Sequence, residues 1–85
     1  MPKSIFTDAY AALLTTLIAA RKSARVSQVE LAARLGKTQS FVSQIERGVR
    51  RVDVVEFYAI AKALGVDPTR LFDDLARSFP EKVAI

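Results

Sequence analysis

The chain contains no cysteine and no histidine among its 85 residues. Disulfide bonds, thiolate chemistry and metal or acid–base sites built on histidine are therefore excluded. Although 51% of the residues are hydrophobic, no uninterrupted apolar run reaches the roughly 20 residues that span a membrane. The start, Met1–Ser4, is not followed by the long apolar stretch of a signal peptide, so we expect a cytoplasmic protein.

The short chain and its uneven charge limit what the protein can be. Eighty-five residues predict one domain over 1–85, too small to include a separate sensor domain, so we expect no small-molecule ligand. Residues 21–51 have eight basic and two acidic side chains, whereas residues 52–85 have four basic and six acidic ones. Positive charge concentrated in one segment is typical of a surface that docks a polyanion, although a solvated charged surface is the simpler alternative.

The spacing of apolar residues predicts an all-α fold of five helices without strands. The first helix should run from Thr7 or Asp8 to about Ser23. The other helices should each follow a capping residue, and the expected caps are Ser27, Thr38, Asp53 and Asp67. Ser27 and Glu30 have the spacing of a capping box. Gly48 and Gly65 should end the third and fourth helices, and Pro80 should end the fifth, in which Leu71, Phe72 and Leu75 should face inward.

Residues 28–47 have the pattern of two short helices joined at a glycine. Leu31 and Leu35 lie one turn apart and predict a buried stripe on the first of these helices. Gly36 falls where the backbone must turn, with a positive φ that glycine adopts easily. Val42 and Ile45 predict the inward face of the second helix. The pattern indicates a helix-turn-helix, whose second helix, 38–47, can lie in the DNA major groove.

The side of that second helix opposite Val42 and Ile45 is polar throughout. It consists of Gln39, Ser40, Ser43, Gln44 and Arg47, which share one face at helical spacing. Because a glutamine amide can pair with both edge groups of adenine, we expect the two glutamines to contact bases. For the two serines, contact with phosphate or water is an equal alternative.

Three linked signatures resemble those of the lambda-repressor/Cro-type helix-turn-helix family, also called the XRE family. They are Ser27-Gln28-x-x-Leu31-Ala32, Ser40-x-Val42-Ser43-x-Ile45-Glu46-x-Gly48, and Ala61-x-x-Leu64-Gly65-Val66-x-x-x-x-Leu71-Phe72. The resemblance implies a compact five-helix lambda-repressor-like domain. It also implies a sequence-specific transcriptional regulator, most simply a repressor, that binds double-stranded DNA at a palindromic operator as a homodimer without a cofactor.

The resemblance also implies roles for individual residues. Gln39, Ser40, Ser43 and Gln44 would contact base edges. Contacts to the DNA backbone would come from Gln28, Lys37, Thr38, Arg47, Arg50 and Arg51. Arg21 and Glu46 would form a partly buried ion pair, and Glu46 is one of only two acids in the basic segment. Phe41 departs from the residue types expected to face DNA, and packing against a neighbouring helix is favoured over contact with a thymine methyl group.

Two other functional classes were weighed against a regulator. An enzyme lacks a convincing site, because the adjacent carboxylates of Asp73 and Asp74 would point in different directions from a helix. An antitoxin or protein-interaction module that autoregulates its operon is the stronger alternative. It usually needs an extra segment, and the tail of residues 78–85 is short, so a co-purifying protein partner would be the sign of it.

Apolar residues after Gly65 predict dimerisation through the C-terminal part of the chain. Leu71 and Phe72 are expected to fill the core. The remaining large apolar residues would form an exposed two-fold contact, and these are Leu75, Phe79, Val83 and Ile85. The alternative is a monomer in which Ile5, Phe6 and Tyr10 fold over them.

Overall fold

The computed structural model describes residues 7–85 and contains, within that range, five α-helices and no strand. The helices are α1 (Asp8–Ser23), α2 (Gln28–Leu35), α3 (Gln39–Glu46), α4 (Val54–Leu64) and α5 (Pro68–Ser78). The all-α prediction is therefore confirmed. Over the described range, no helix has both the length and the apolar character that crossing a membrane requires.

Each helix begins at a side chain that accepts a backbone N–H of the first turn. The caps are Thr7, Ser27, Thr38, Asp53 and Asp67, as the sequence predicts. The capping box expected at Ser27 is only half formed, because the Glu30 carboxylate pairs with Arg34 at 2.7 Å instead of reaching back. A complete box forms at the start of α4, between Asp53 and Glu56.

The core lies where α1 and α4 cover the α2–α3 pair. Leu31 and Ala32 of α2 face Val42 and Ile45 of α3, and all four side chains are buried. Leu17 of α1 belongs to the same cluster, as do residues of the later helices, namely Ile60, Ala61, Leu64 and Leu71. This packing fixes α3 on its apolar side and leaves its polar side facing outward.

The inward stripe of α5 differs from the expected one. Leu71 and Leu75, one turn apart, are both buried, and only 3% of Leu75 is exposed, whereas 52% of Phe72 is exposed. The inward position expected for Phe72 and the exposed position expected for Leu75 are both wrong. Phe72 lies about 100° round the helix from Leu71, and its ring meets Phe57 edge-on with centroids 6.1 Å apart.

The C-terminal tail forms only part of the expected apolar surface. Phe79 is half-buried and lines an apolar groove with Leu13 and Leu75, while Val83 and Ile85 are exposed. In the alternative prediction of a monomer, three N-terminal residues were expected to fold over this region. Of these, Tyr10 is buried, and Ile5 and Phe6 lie outside the described residues.

Candidate nucleic-acid interface

The turn between α2 and α3 sets the position of α3. Gly36 has φ +69° and ψ +32°, the left-handed conformation that glycine adopts at little cost, and its N–H bonds to the carbonyls at the end of α2. Thr38 then starts α3 by accepting the Phe41 N–H at 3.2 Å. Because Val42 and Ile45 are anchored in the core, the opposite face of α3 is directed to the surface.

That outward face carries the polar side chains predicted to contact bases. Gln39 and Ser40 are exposed, and Ser43 and Gln44 are half-buried. Gln44 Nε2 lies 3.4 Å from Ser40 Oγ, and Arg47 Nε donates to Ser43 Oγ at 3.2 Å. These one-turn contacts are long and near the surface, so a ligand can replace them at little cost.

A chain of hydrogen bonds links this face to α1 through four side chains. Arg21 bonds the Glu46 carboxylate twice, from Nε at 2.6 Å and from Nη2 at 3.0 Å. Gln28 Nε2 donates to Glu46 Oε1 at 2.9 Å, and Gln39 Nε2 donates to Gln28 Oε1 at 2.7 Å. The predicted Arg21–Glu46 pair is therefore confirmed, and it is continuous with the first residue of α3.

The Arg21–Glu46 pair is well shielded from solvent. The two side chains are 11% and 9% exposed, and Arg21 Nη1 also donates to the Val26 carbonyl at 2.9 Å. Hydrogen bonding to Glu46 raises the pKa of Arg21 above its ordinary value, and the charge attraction adds to this while burial opposes it. The arginine thus stays charged and ties α1 to the end of α3.

Arg50, expected to contact phosphate, is packed between protein groups on one side. Its Nη2 pairs with Glu56 Oε2 at 2.7 Å, and its guanidinium carbon lies 4.8 Å from the centroid of the Phe41 ring. Lys37 Nζ lies 5.4 Å from the same centroid. Phe41 is half-buried against the core cluster, as the packing interpretation predicts, and its ring also supports two cations.

Arg51 lies on an aromatic ring of α1. Its guanidinium carbon is 4.4 Å from the centroid of Tyr10, and the Tyr10 hydroxyl accepts the Val52 N–H at 3.0 Å. Tyr10 is buried although Arg51 is exposed. The loop after α3 is therefore held on α1, and Arg47, Arg50 and Arg51 follow one another from the end of α3 along this loop.

Three residues of this region were not identified as site residues from the sequence. Glu56 could have been recognised as a capping-box partner from its spacing to Asp53, but its pairing with Arg50 depends on how the loop folds. The contacts of Tyr10 with Arg51 and Val52 cross more than 40 positions of sequence. Arg25, next to the start of α2, has φ +59°, and no sequence signal marks an arginine in that conformation.

The arrangement offers hydrogen-bonding amides, hydroxyls and cations, which are groups that bind nucleic acid without covalent chemistry. Among residues 7–85, no group of three or more acidic, cysteine or histidine side chains could hold a metal ion. Asp73, considered above as a reactive carboxylate, pairs with Arg77 at 3.0 Å on the surface of α5.

The region around α2 and α3 is similar in sequence to known proteins. A family model described as Helix-turn-helix matches residues 17–71. Two curated relatives from Sinorhizobium fredii (strain NBRC 101917 / NGR234) are named uncharacterized HTH-type transcriptional regulators y4dL and y4dJ, and they are 45% and 39% identical to this chain over 51 residues. These residues make up 60% of this chain but only 26% and 66% of the two relatives.

Two solved structures extend the similarity to most of the chain. An XRE-family like protein from Pseudomonas syringae pv. tomato str. DC3000 has a TM-score of 0.77 and 47% identity, and the match covers 85% of this chain and 90% of that one. The clp gene regulator ClgR from C. glutamicum has a TM-score of 0.72 and 25% identity, with coverage of 84% and 92%. The structural likeness therefore extends over more of the chain than the 51 residues matched by the curated relatives.

Proposed function

The chain belongs to the XRE-type helix-turn-helix family of transcriptional regulators, and on this premise we propose that it reads a specific double-stranded DNA sequence with α3. Its family and fold are those of DNA-binding regulators and not of enzymes. We propose further that it acts as a repressor in the cytoplasm, by occupying its operator, and that it needs no cofactor.

The observation that carries this proposal is the orientation of Gln39 by Gln28. One hydrogen of the Gln39 amide is used in the 2.7 Å bond to Gln28, which leaves a second N–H donor and the Oε1 acceptor available. Adenine presents one acceptor and one donor in the major groove, so a single oriented glutamine amide matches it. Gln44 lies five residues after Gln39 in α3 and is proposed to read a second base. Ser40 and Ser43 lie between the two glutamines.

Contacts to the DNA backbone are proposed around this face. Gln28 and Thr38 stand at the starts of α2 and α3, where backbone N–H groups favour a phosphate. Lys37 and Arg47 are exposed cations at the two ends of α3. Arg50 and Arg51 lie on aromatic rings beyond it, and a guanidinium held in that way retains donors for a phosphate oxygen.

A homodimer on a palindromic operator completes the proposal. A single eight-residue α3 reaches only a few base pairs, too few to define a site among many competitors. Two copies related by a two-fold axis would place their recognition helices in successive major grooves, about 34–36 Å apart, so the operator would repeat its half-site in inverted order.

Selection of bound sequences from a pool of random duplexes at physiological salt tests this function. We expect enrichment of one inverted repeat, and an α3 double variant, Gln39→Ala with Gln44→Ala, should lose the preference at specific positions. Recovery of no common sequence by the native protein would contradict the proposal. Co-purification of a protein partner from the native host would favour the antitoxin alternative.

A further inference from the structure

We propose that Glu46 decides which base Gln39 prefers, because it fixes the direction in which the Gln39 side-chain amide is presented to DNA. Glu46 acts through Gln28 and is therefore a positioning residue. The proposal rests on the proposed function, since it concerns the base preference of the α3 face. It goes beyond that function by assigning the preference to a carboxylate that is only 9% exposed.

The Glu46 carboxylate presents a fixed acceptor to its neighbours. Arg21 donates to both of its oxygens, from Nε to Oε2 at 2.6 Å and from Nη2 to Oε1 at 3.0 Å, and an ionised carboxylate has no donor of its own. Arg21 is held in turn by its bond to the Val26 carbonyl at 2.9 Å. The pair is therefore a shielded anchor in which donor and acceptor cannot exchange places.

This acceptor fixes the orientation of Gln28. Gln28 Nε2 lies 2.9 Å from Glu46 Oε1. If the two ends of the Gln28 amide were exchanged, its carbonyl oxygen would face the carboxylate, and two acceptors in contact repel each other. The NH2 group of Gln28 therefore faces Glu46, and Gln28 Oε1 faces Gln39.

Gln28 passes the same direction on to Gln39. Gln39 Nε2 donates to Gln28 Oε1 at 2.7 Å, and a reversed Gln39 amide would again bring two oxygens into contact. One shielded charge thus sets the donor and acceptor sides of both amides. The Gln44 amide has no such fixed direction, because its neighbour at 3.4 Å is the Ser40 hydroxyl, which can donate or accept.

The direction of the Gln39 amide matters because the two purines differ in the major groove. Adenine presents one acceptor and one donor there, whereas guanine presents two acceptors. In the observed direction, Gln39 retains one N–H donor and its Oε1 acceptor, which match adenine. In the reversed direction, Oε1 would accept from Gln28 and both N–H donors would be available, which match guanine. We therefore expect Glu46 to favour adenine over guanine at the base pair that Gln39 reads.

Two substitutions interrupt this chain of hydrogen bonds at different links. Glu46→Gln replaces the carboxylate by an amide of the same shape, so the group that faces Gln28 can be a donor or an acceptor. Gln28→Met removes the link to Gln39 but leaves the Arg21–Glu46 pair in place. Titration of the selected operator, and of duplexes with guanine in place of adenine, measures the preference. Each variant should reduce the preference for adenine at the Gln39 base pair at least about fivefold. Discrimination at the Gln44 base pair should stay within about twofold of native.

A purely structural role of Glu46 would give a different pattern, because a loosened α3 would affect both base pairs. The double variant, Glu46→Gln with Gln28→Met, should lose no more preference than either single variant, since both interrupt one chain. Glu30→Gln, in the exposed pair with Arg34, is the matched control and should keep the native preference. A native preference in Gln28→Met, or equal losses at the two base pairs in Glu46→Gln, would overturn the proposal.

A measurement without DNA separates this proposal from the proposed function. NMR signals of the side-chain amides report the hydrogen bonds of each glutamine in the free protein. Glu46→Gln should shift the Nε2 proton signals of Gln28 and Gln39 and leave those of Gln44 unchanged. Unchanged Gln39 signals would overturn the proposal even if the native protein selects an operator. A native protein that selects no sequence, together with shifted Gln39 signals, would contradict the proposed function and leave the orientation of Gln39 by Glu46 supported.

Discussion

Two ion pairs of nearly equal length show how burial decides what a charge contributes. Arg21–Glu46 and Arg34–Glu30 have shortest distances of 2.6 and 2.7 Å, but the first pair is 11% and 9% exposed and the second 41% and 52%. Water screens the second pair strongly, whereas removing one partner of the first leaves a shielded charge without compensation.

Glu46→Ala should therefore lower the free energy of unfolding by about 3 kcal/mol. The matched substitution Glu30→Ala should lower it by less than about 1 kcal/mol. Urea denaturation at neutral pH measures both values. The raised pKa of Arg21 means that its stabilisation is complete below the ordinary arginine pKa and is lost only as the pH rises through the higher folded-state value. Similar losses for the two variants would contradict the importance of burial here.

Substitution of the α3 glutamines should change sequence preference more than overall affinity. Gln39→Ala and Gln44→Ala should each lose roughly 1–3 kcal/mol of discrimination at one base pair. Arg47→Ala should instead weaken binding to all duplexes and reduce the slope of log K against log salt by about one. Titration of the selected operator and its single-base variants at several salt concentrations separates these effects. Full discrimination by Gln39→Ala would show that a different face reads the bases.

Arg25 occupies a backbone conformation that suits glycine better. Its φ is +59°, and an L-residue in this region is disfavoured by roughly 1–2 kcal/mol. Glycine removes this cost from the folded state, but its greater freedom in the unfolded chain cancels part of the gain. Arg25→Gly should raise the free energy of unfolding by about 0.5–1 kcal/mol. Gly36→Ala, at φ +69° with no atom near the added Cβ, should lower it by about 1 kcal/mol. Thermal melting of the two variants should move in opposite directions.

At the scale of elements, the loop between α3 and α4 is held by side chains from both its neighbours. Arg50 connects Phe41 of α3 with Glu56 of α4, and Glu56 also accepts the Asp53 N–H at 3.0 Å to close the capping box. One carboxylate thus fixes the start of α4 and the direction of the basic loop.

Glu56→Ala should lower the free energy of unfolding by about 1–2 kcal/mol, because it removes the cap contact and the partner of Arg50. Arg50→Ala should both destabilise the fold and weaken DNA binding, whereas Arg47→Ala should weaken DNA binding alone. Unfolding curves combined with DNA titrations of the three variants provide the comparison. An Arg50→Ala variant with native stability would show that its contacts in the loop contribute little.

Helix bounds were predictable because their signals are local. Thr38 and Asp53 each lie within three residues of the N–H that they cap, so the sequence contains the whole interaction. The rotation of α5 was not predictable in this way. Leu71, Phe72 and Leu75 form an apolar cluster on the helix, and the positions of α1 and α4 decide which two of them become buried.

The same distinction applies to the candidate site. Helical spacing alone predicts that the polar residues of α3 share one face, and the structure places them there. The pairing of Arg50 with Glu56, and the stacking of Arg51 on Tyr10, depend on how separate segments meet. Sequence reasoning therefore identified the cations of the loop but not the groups that orient them.

At the scale of the whole molecule, positive charge is concentrated in one part of the chain. Residues 21–51 have a net charge of +6, whereas residues 52–85 have a net charge of −2. The proposed DNA contacts all come from the first segment. A polyanion is therefore attracted to the segment that includes α2 and α3 more strongly than to α4 and α5.

Half-site spacing should control cooperative binding to DNA. The two copies of the proposed homodimer have a fixed separation, so their recognition helices can enter the major groove only where the half-sites lie on one side of the duplex. Insertion of about 5 base pairs between the half-sites moves them to opposite sides, and insertion of about 10 restores the side but increases the distance.

Binding to the selected operator should be steeper than one-to-one, and both insertions should reduce the affinity to that of a single half-site. Electrophoretic mobility shifts on the three duplexes, with a duplex that has a single half-site as the reference, provide the measurement. Equal affinity of the native protein for all three duplexes would mean that the copies bind DNA independently.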